Sequence, residues 1–413
     1  MTPEKIHALI QDISRCNATP GEGVTRFSYS AEDRRAKDLV LAELKSLGCE
    51  TYVDWAGNVH GLLPGAKPDL PAVMVGSHLD SVRNGGRFDG IVGVVGGLAV
   101  IERLKKSGAT CERPVRFVAF AEEEGSNFSV PLLGSKAFIG KLTPVDLEAI
   151  ATPEGRCARD VVSSAADASG DAPEWAGPGN IECMLELHVE QGGSLHDAGV
   201  GIGVVDVIAA DVVMTVRLSG RSGHSGASGM KGRKDALAGA AEIIVEGERI
   251  ANSPEGEGAV VTVGRIEVSP NAFNCIPDSV EFTVDIRHPD PEALQRVKRH
   301  VERRINGISG RRGLESQLEC AFTPGLPLSH RIRTAIQQAA SGLNLEWRTT
   351  PSWAMHDAGT LARITDVGMI FVPSVDGLSH NPGEFTEPGA IERGIDVLYA
   401  VVAGLAGMGR TTA

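Results

Sequence analysis

Apolar residues recur along this chain at two periods, and the switches between them mark its elements. Ile6, Leu9, Ile10 and Ile13 repeat three and four apart; Thr2 can cap the turn before them and Pro3 suits a first helical position, so a helix is predicted at the start. Ser30 followed by Asp33 resembles a capping box and opens a second helix over 31–47, stopped by Gly48. Short β-branched runs then predict strands at Glu50–Val53, Val59–Leu63, Ala72–Gly76 and Val115–Phe120, with a helix over Ile91–Leu104 between the last two. Such alternation means an α/β domain. Residues 168–180 carry turn formers and no period, which predicts a surface excursion.

From Asp211 the pattern changes. It predicts strand Val212–Leu218, helix Lys234–Ile250, strands Val260–Val268 and Ser279–His288, helix Pro291–Ile305 and strand Leu314–Phe322. Two helices and four strands make a plausible compact insert. α/β alternation then resumes with a helix over 330–342, strand Gly368–Phe371 and a closing helix over Glu387–Leu405. The simplest organisation is one domain, 1–210 with 327–413, interrupted by another, 211–326.

Chemistry gathers where strands end. The run Ala72–Val75 leads into GSHLDSV, which places His78 and Asp80 at a strand terminus, and Asp89 follows in the glycine-flanked turn GGRFDG. Strand Val115–Phe120 ends in Glu122, Glu123 and Glu124, three like charges whose mutual repulsion a divalent ion would relieve. Strand Met184–Leu187 delivers His188, with Gln191 behind it, and His380 follows the strand near Met369–Phe371. Taken singly, the His78 stretch also reads as a polar loop with one hydrogen-bonded histidine, and the glutamate run as a solvated acidic loop. Four strand ends with such residues are harder to dismiss, because parallel strands bring their carboxyl ends to one crevice. Imidazole and carboxylate ligands without thiolate suit zinc, manganese, cobalt or nickel, and a carboxylate outside the ligand set can act as general base. Asp80, two residues from His78, is placed to orient that imidazole.

Composition narrows the partners. A formal net charge of -13 and a pI near 5.4 argue against nucleic acid or an anionic membrane surface, and aromatics at 4% leave little for base stacking. Seven scattered cysteines without a C-x-x-C pair argue against a disulfide framework or a thiolate zinc site. The first residues lead into an amphipathic helix, and no stretch reaches 18 uninterrupted apolar residues, so a cytoplasmic protein is expected.

The motifs GSHLDSV, GGRFDG, EEEGSNF, ELHVEQG, GHSG, NAFNCIPDSVEFTVDIRH and HDAG…MIFVPS…GLSHNPGEF together resemble the hydantoinase/carbamoylase branch of the M20 metallopeptidase family, over nearly the whole chain. The resemblance implies a mixed-sheet α/β catalytic domain holding two divalent ions, interrupted by an α/β ferredoxin-like lid and dimerisation domain. It implies one ion on His78, Asp89 and His188 and the other on Asp89, Glu124 and His380, with Asp89 as the bridge. Glu123 would be the general base and Glu122 a neighbour without a ligand role. The lid of a homodimer partner would supply His224 for the oxyanion, with Asn274 and Arg287 for the substrate carboxylate; Gln191 and Gly359 would line the pocket. Their chemistry fits, since guanidinium forks a carboxylate and an imidazole donor stabilises an oxyanion. On residues alone, Arg287 also reads as an exposed strand charge and His224 as a turn residue.

The implied reaction is hydrolysis of a linear C–N bond in an N-carbamoyl (ureido) acid, a small carboxylate-bearing substrate. An aminoacylase or dipeptidase with the same metals is the enzyme alternative, and a metal-binding homologue without turnover is the other. Three departures from the family pattern are expected to border the substrate. Asn127 stands where relatives commonly have arginine, Ser225 to Met230 read SGASGM, and Trp353, Ala354 and Met355 precede His356 where small residues are usual.

Overall fold

The computed structural model describes residues 1–166, 168 and 170–409; Asp167, Ser169, within the excursion expected at 168–180, and the final 410–413 lie outside the described residues. The chain forms two compact units, one of Met1–Asp206, Leu328–Thr350 and Ala354–Ala413, the other of Val207–Pro327 with Pro351–Trp353.

The first unit is built on a large mixed sheet in the order Glu50–Val53, Val59–Leu63, Val115–Phe120, Ala72–His78, Ile181–Val189, Asp366–Val372, Ile202–Ile208. The four strands from Val115–Phe120 to Asp366–Val372 run parallel to one another, and strands on either side of them are antiparallel. These four are nearly continuous apolar runs, as strands covered on both faces must be. Helices Ile91–Lys106 and Pro388–Leu405 pack against the sheet and join one core with it. The first of them comes unusually close, because a Cβ at Gly93 would lie 2.3 Å from the Leu187 carbonyl oxygen. Only glycine fits there.

Ser30 Oγ accepts from Asp33 N–H at 3.1 Å to start helix Ala31–Ser46, and Thr2 caps helix Pro3–Ser14. Strands His78 and His188 sit in run longer than periodicity suggests, Ala72–His78 and Ile181–Val189, so both imidazoles are inside strands. Full burial on both faces removes the polar alternation that would have shown where these strands stop. Two further strands, Ile202–Ile208 and Trp347–Ser352, have no counterpart in the sequence reading; the second is polar, contains Pro351, and pairs at the sheet margin. Part of the excursion is anchored: buried Arg116 donates to the carbonyls of Trp175 at 2.9 Å and Gly177 at 2.8 Å and contacts that of Ala176.

Helix Ile91–Lys106 also buries a charge. Burial works against the Glu102 carboxylate, but Lys106 and Lys5, the latter at 3.0 Å, outweigh it and hold its pKa at about 2 against an ordinary 4.5. A carboxyl with a depressed folded-state pKa contributes stability that is full above its unfolded value and lost as pH falls through the folded one. The Glu102→Gln protein is therefore expected to unfold more easily than the parent above pH 4.5, with the gap closing towards pH 2. Urea unfolding across that range measures it.

The second unit runs strand, helix, strand, strand, helix, strand: Ala210–Ser219, Ala236–Ala251, Val260–Ser269, Ser279–His288, Pro291–Arg312 and Glu315–Thr323. Its antiparallel sheet has the order fourth, first, third, second, which is the ferredoxin-like arrangement. One face packs Val212, Met214, Val216, Leu218, Phe282 and Ile286 under the two helices. The other carries a charged ladder, Arg217 between Glu281 and Glu319 at 2.6 Å each, and Arg265 on Glu281 at 2.7 Å. A two-stranded pair, Gly223–His224 with Cys275–Ile276, completes the unit.

Candidate metal centre

Four parallel neighbours deliver their carboxyl ends to one edge of the first unit's sheet, and every candidate ligand lies there. His78 ends one strand and His188 lies near the end of the next; Val75 pairs with Leu185, and the same offset of 110 sets the two histidines side by side. Their Nε2 atoms are 3.4 Å apart. His188 Nδ1 lies 2.9 Å from the Val189 carbonyl oxygen and His78 Nδ1 lies 3.2 Å from that of Asp80. A carbonyl can only accept, so each Nδ1 carries the proton in the neutral ring and each Nε2 presents a lone pair. Two lone pairs facing one point need a cation between them.

Asp89 supplies the charge that such a cation needs. Its Oδ1 is 3.0 Å from His188 Nε2 and 3.5 Å from His78 Nε2, whereas its Oδ2 is 3.2 Å from His380 Nε2. Glu124 Oε2 lies 3.4 Å from the same His380 nitrogen. The ligand atoms of His78, Asp89 and His188, and those of Asp89, Glu124 and His380, each fall within 4.8 Å of one another. Asp89 Oδ1 is buried and accepts no hydrogen bond. An orphaned carboxylate oxygen among imidazole lone pairs fits a divalent ion, and nitrogen and oxygen donors without sulfur fit zinc, manganese, cobalt or nickel.

The protonation pattern follows from this crowding. Burial acts to raise the Asp89 carboxyl, but His188, His380 and His78 override it and hold it well below the usual range. The hydrogen bond to Asp89 raises the His380 imidazole to about 9. Burial lifts Glu124 to about 7, helped by Asp89, and pushes Glu123 well above the ordinary range, helped by Glu124. Carboxyls raised by burial in this way hold a proton more readily than exposed ones, as a general acid–base group must.

The glutamates are sorted by what holds their backbone. Asp80, fully buried, accepts from the N–H of Glu123 and of Glu124 at 3.1 Å each. Its carboxylate is 3.7 Å from His78 Nδ1 and its carbonyl is nearer. Asp80 thus meets the His78 imidazole with its backbone oxygen and, at longer range, its carboxylate, while that side chain also fixes the glutamate turn. Glu122 adopts a left-handed φ of 57° and turns away, accepting from Asn127 N–H and Nδ2 at 2.7 Å each. Asn127 also donates to the Ser28 carbonyl at 2.7 Å, so its amide is spent on Glu122 and Ser28.

Gln191 Nε2 donates to Asp89 Oδ2 at 3.0 Å, and Gly359 lies in the short helix Asp357–Leu361 of the same unit. His224, Asn274 and Arg287 belong to the second unit. There His224 pairs with Cys275, next to Asn274, and its Nδ1 accepts from Gly226 and Ala227 N–H at 3.1 Å each, which leaves Nε2–H as a donor. Arg287 forks onto Asp285 at 2.8–3.2 Å and reaches the Trp353 carbonyl at 2.8 Å, keeping further N–H groups for a ligand.

Three residues around the ligands escaped the sequence reading. Glu186 accepts from Ser77 Oγ at 2.6 Å and Ala358 N–H at 3.0 Å, tying together the segments that carry His78, His188 and His356. His356 packs edge-on to His188 with ring centroids 4.5 Å apart; burial, then His188, hold its imidazole well below the usual range. Glu186, His188 and His356 also meet the geometry of a metal group, but Glu186 is engaged by two donors and His188 already faces Asp89. Asp357 is fully buried. The one available signal was the HDAG motif itself.

The turn before helix Ile91–Lys106 admits no side chain. Gly90 has φ 69°, and a Cβ there would lie 2.5 Å from His78 Cε1. The Gly90→Ala protein is expected to lose about 1–3 kcal/mol, as overpacked sites do, and to bind divalent metal more weakly because His78 must move. Urea unfolding in chelator and a metal titration check the two effects.

Residues 74–404 match the peptidase family M20/M25/M40. Over 406 residues the chain is 37% identical to an N-carbamoyl-L-amino-acid amidohydrolase of Pseudomonas sp. (strain NS671), covering 97% of each protein. It is 32% identical to the allantoate amidohydrolase of Escherichia coli (strain K12), covering 95% of this chain and 96% of that one. A crystal structure of an amidase of the hydantoinase/carbamoylase family from Burkholderia multivorans superposes with a TM-score of 0.88 at 33% identity, covering 98% of both chains.

Proposed function

The chain belongs to the M20 peptidase family, in its hydantoinase/carbamoylase branch, and we propose that this amidohydrolase of linear C–N bonds acts on an N-carbamoyl amino acid, releasing ammonia, carbon dioxide and the amino acid. The observation that carries the reading is Asp89, whose two oxygens face two separate histidine-bearing groups. In this proposal His78, His188 and Asp89 hold one divalent ion and Asp89, Glu124 and His380 the other. When bound, such ions polarise a carbonyl and acidify water.

The protein's own groups do the rest. Glu123, buried and raised above the ordinary carboxylate range, takes the proton of the attacking water and passes it to the leaving nitrogen. Asp80 keeps Glu123 in place through its backbone N–H. His224, with a proton on Nε2, donates to the developing oxyanion. Arg287 and Asn274 bind the substrate carboxylate, and Gln191 and Gly359 face the carbamoyl end. We further propose that the second unit pairs two copies of the chain, so that His224, Asn274 and Arg287 serve the partner's centre. Phe273 is 99% exposed beside Asn274 and Met230 78% exposed in the segment after His224, which suits a surface that a second copy covers. Among the described residues no helix is long and apolar enough to cross a membrane.

A substrate panel tests the reaction. Carbamoyl amino acids, allantoate, ureidopropionate and acyl amino acids are assayed with Mn, Co, Ni and Zn for ammonia and amine release. Ammonia from a carbamoyl amino acid is expected. Turnover of acyl amino acids alone, with no ammonia from any ureido compound, would replace the reading with an aminoacylase. Mixing Arg287→Ala with Glu123→Gln chains tests the trans arrangement, since mixed dimers would regain one complete site.

A further inference from the structure

The loop after strand Asp366–Val372 carries a carboxylate that takes no part in the chemistry above. Glu384 is 1% exposed, and its Oε2 accepts from the N–H of Phe88 at 2.8 Å and of Asp89 at 3.2 Å, across 295 residues of sequence. Its Oε1 lies 3.2 Å from Ser379 Oγ, which in turn lies 3.1 Å from Asp89 Oδ2. Glu384 therefore grips the Asp89 backbone, and Ser379, whose one O–H is within reach of both carboxylates, stands between the two side chains. The grip needs a bare backbone opposite, because a Cβ at Gly86 would lie 1.9 Å from Glu384 Oε2.

We propose that Glu384 is the positioning residue of the Asp89–Glu124–His380 metal position, and that it acts on that position selectively. The proposal rests on the two-ion reading. Ser379 and His380 are adjacent, so the bonds from Glu384 lock the loop bearing His380 to the turn bearing Asp89. They fix Asp89 Oδ2 and His380 Nε2 at 3.2 Å, facing Glu124. The other position shares Asp89 through Oδ1, but its two histidines have supports of their own. His78 and His188 are held by strand pairing and by the carbonyls of Asp80 and Val189. Loss of Glu384 should loosen one ion and spare the other. A residue that served stability alone would weaken both together or neither.

The test is a titration of chelator-stripped full-length protein with Co2+, read by calorimetry and by the d–d absorption of the bound ion. In the parent, two ions are expected. In Glu384→Ala, the affinity of one should fall by about 10–100-fold, the range seen when outer hydrogen-bond partners of metal ligands are removed, with the other unchanged and its absorption band retained. Glu384→Gln should restore two ions, because an amide oxygen accepts the same two N–H groups and its NH2 reaches Ser379 Oγ. Ser379→Ala, which leaves the backbone bonds intact, should weaken the same ion by less. If Glu384→Ala does not fold, Ser379→Ala decides alone. Equal weakening of both ions, or wild-type affinity in the folded variants, overturns the proposal while leaving the two-ion reading intact. Failure of the parent to bind two ions overturns both.

Discussion

The Glu123→Gln protein is expected to keep its fold, its metal and its KM while kcat falls by about 10²–10⁴-fold, the usual contribution of a positioned acid–base group. The substitution is nearly isosteric and leaves the N–H of residue 123 on Asp80, so the glutamate turn survives. It also leaves the ligand sets His78–Asp89–His188 and Asp89–Glu124–His380 untouched. What it removes is a buried carboxyl, raised above the ordinary carboxylate range and outside both sets, next in sequence to Glu124. An amide cannot accept a proton from water and hand it on. The measurement is steady-state kinetics beside metal analysis of the same sample. A variant within tenfold of the parent, with full metal content, would remove Glu123 from the proton path. The base would then have to be sought among the other buried carboxyls, Asp357 among them, which acts electrostatically on Glu123.

The candidate ligands other than Asp89 were legible in the sequence because each follows an apolar run, and in an α/β alternation those runs become parallel strands whose ends meet. His78, the glutamate triplet, His188 and His380 come from four strands adjacent in the sheet, so strand order alone gathers them. The ring of partners around them was not legible. Glu186 lies inside a strand whose neighbours are buried and apolar, and its partner Ser77 is 109 residues away. Glu384 reads as a loop acid until Phe88 and Asp89 are seen to fold against it. Local sequence says nothing about which backbone N–H a carboxylate will find, and burial decides that a carboxylate must find one. Asn127 shows the converse. It stands where relatives commonly have arginine, which suggested a residue bordering the substrate; in the fold the left-handed turn at Glu122 brings that carboxylate and the Asn127 amide together.

The Asp89→Asn protein should lose hydrolysis altogether together with the metal-dependent part of its stability. Asp89 is the one residue in both ligand sets, and an amide offers a single weak oxygen where two charged ones stood. An ion at a hundred times its dissociation constant stabilises the folded state by about 2.7 kcal/mol, so the parent should lose that much per ion on addition of chelator and the variant nothing. The stripped proteins then separate by pH. In the parent, the hydrogen bond to Asp89 holds His380 at about 9 against an ordinary 6.5. A base whose folded-state pKa is raised gives stability that is full below the unfolded value and lost as pH rises through the folded one. Asp89, held below 3.8 by the three histidines after burial has raised it, contributes its share only above that value. Parent and variant should therefore differ most in stability between about pH 4 and 6.5 and converge towards pH 9. A chelator-dependent stability loss in Asp89→Asn equal to that of the parent would mean that the ions do not depend on Asp89, although its two oxygens face both histidine-bearing groups.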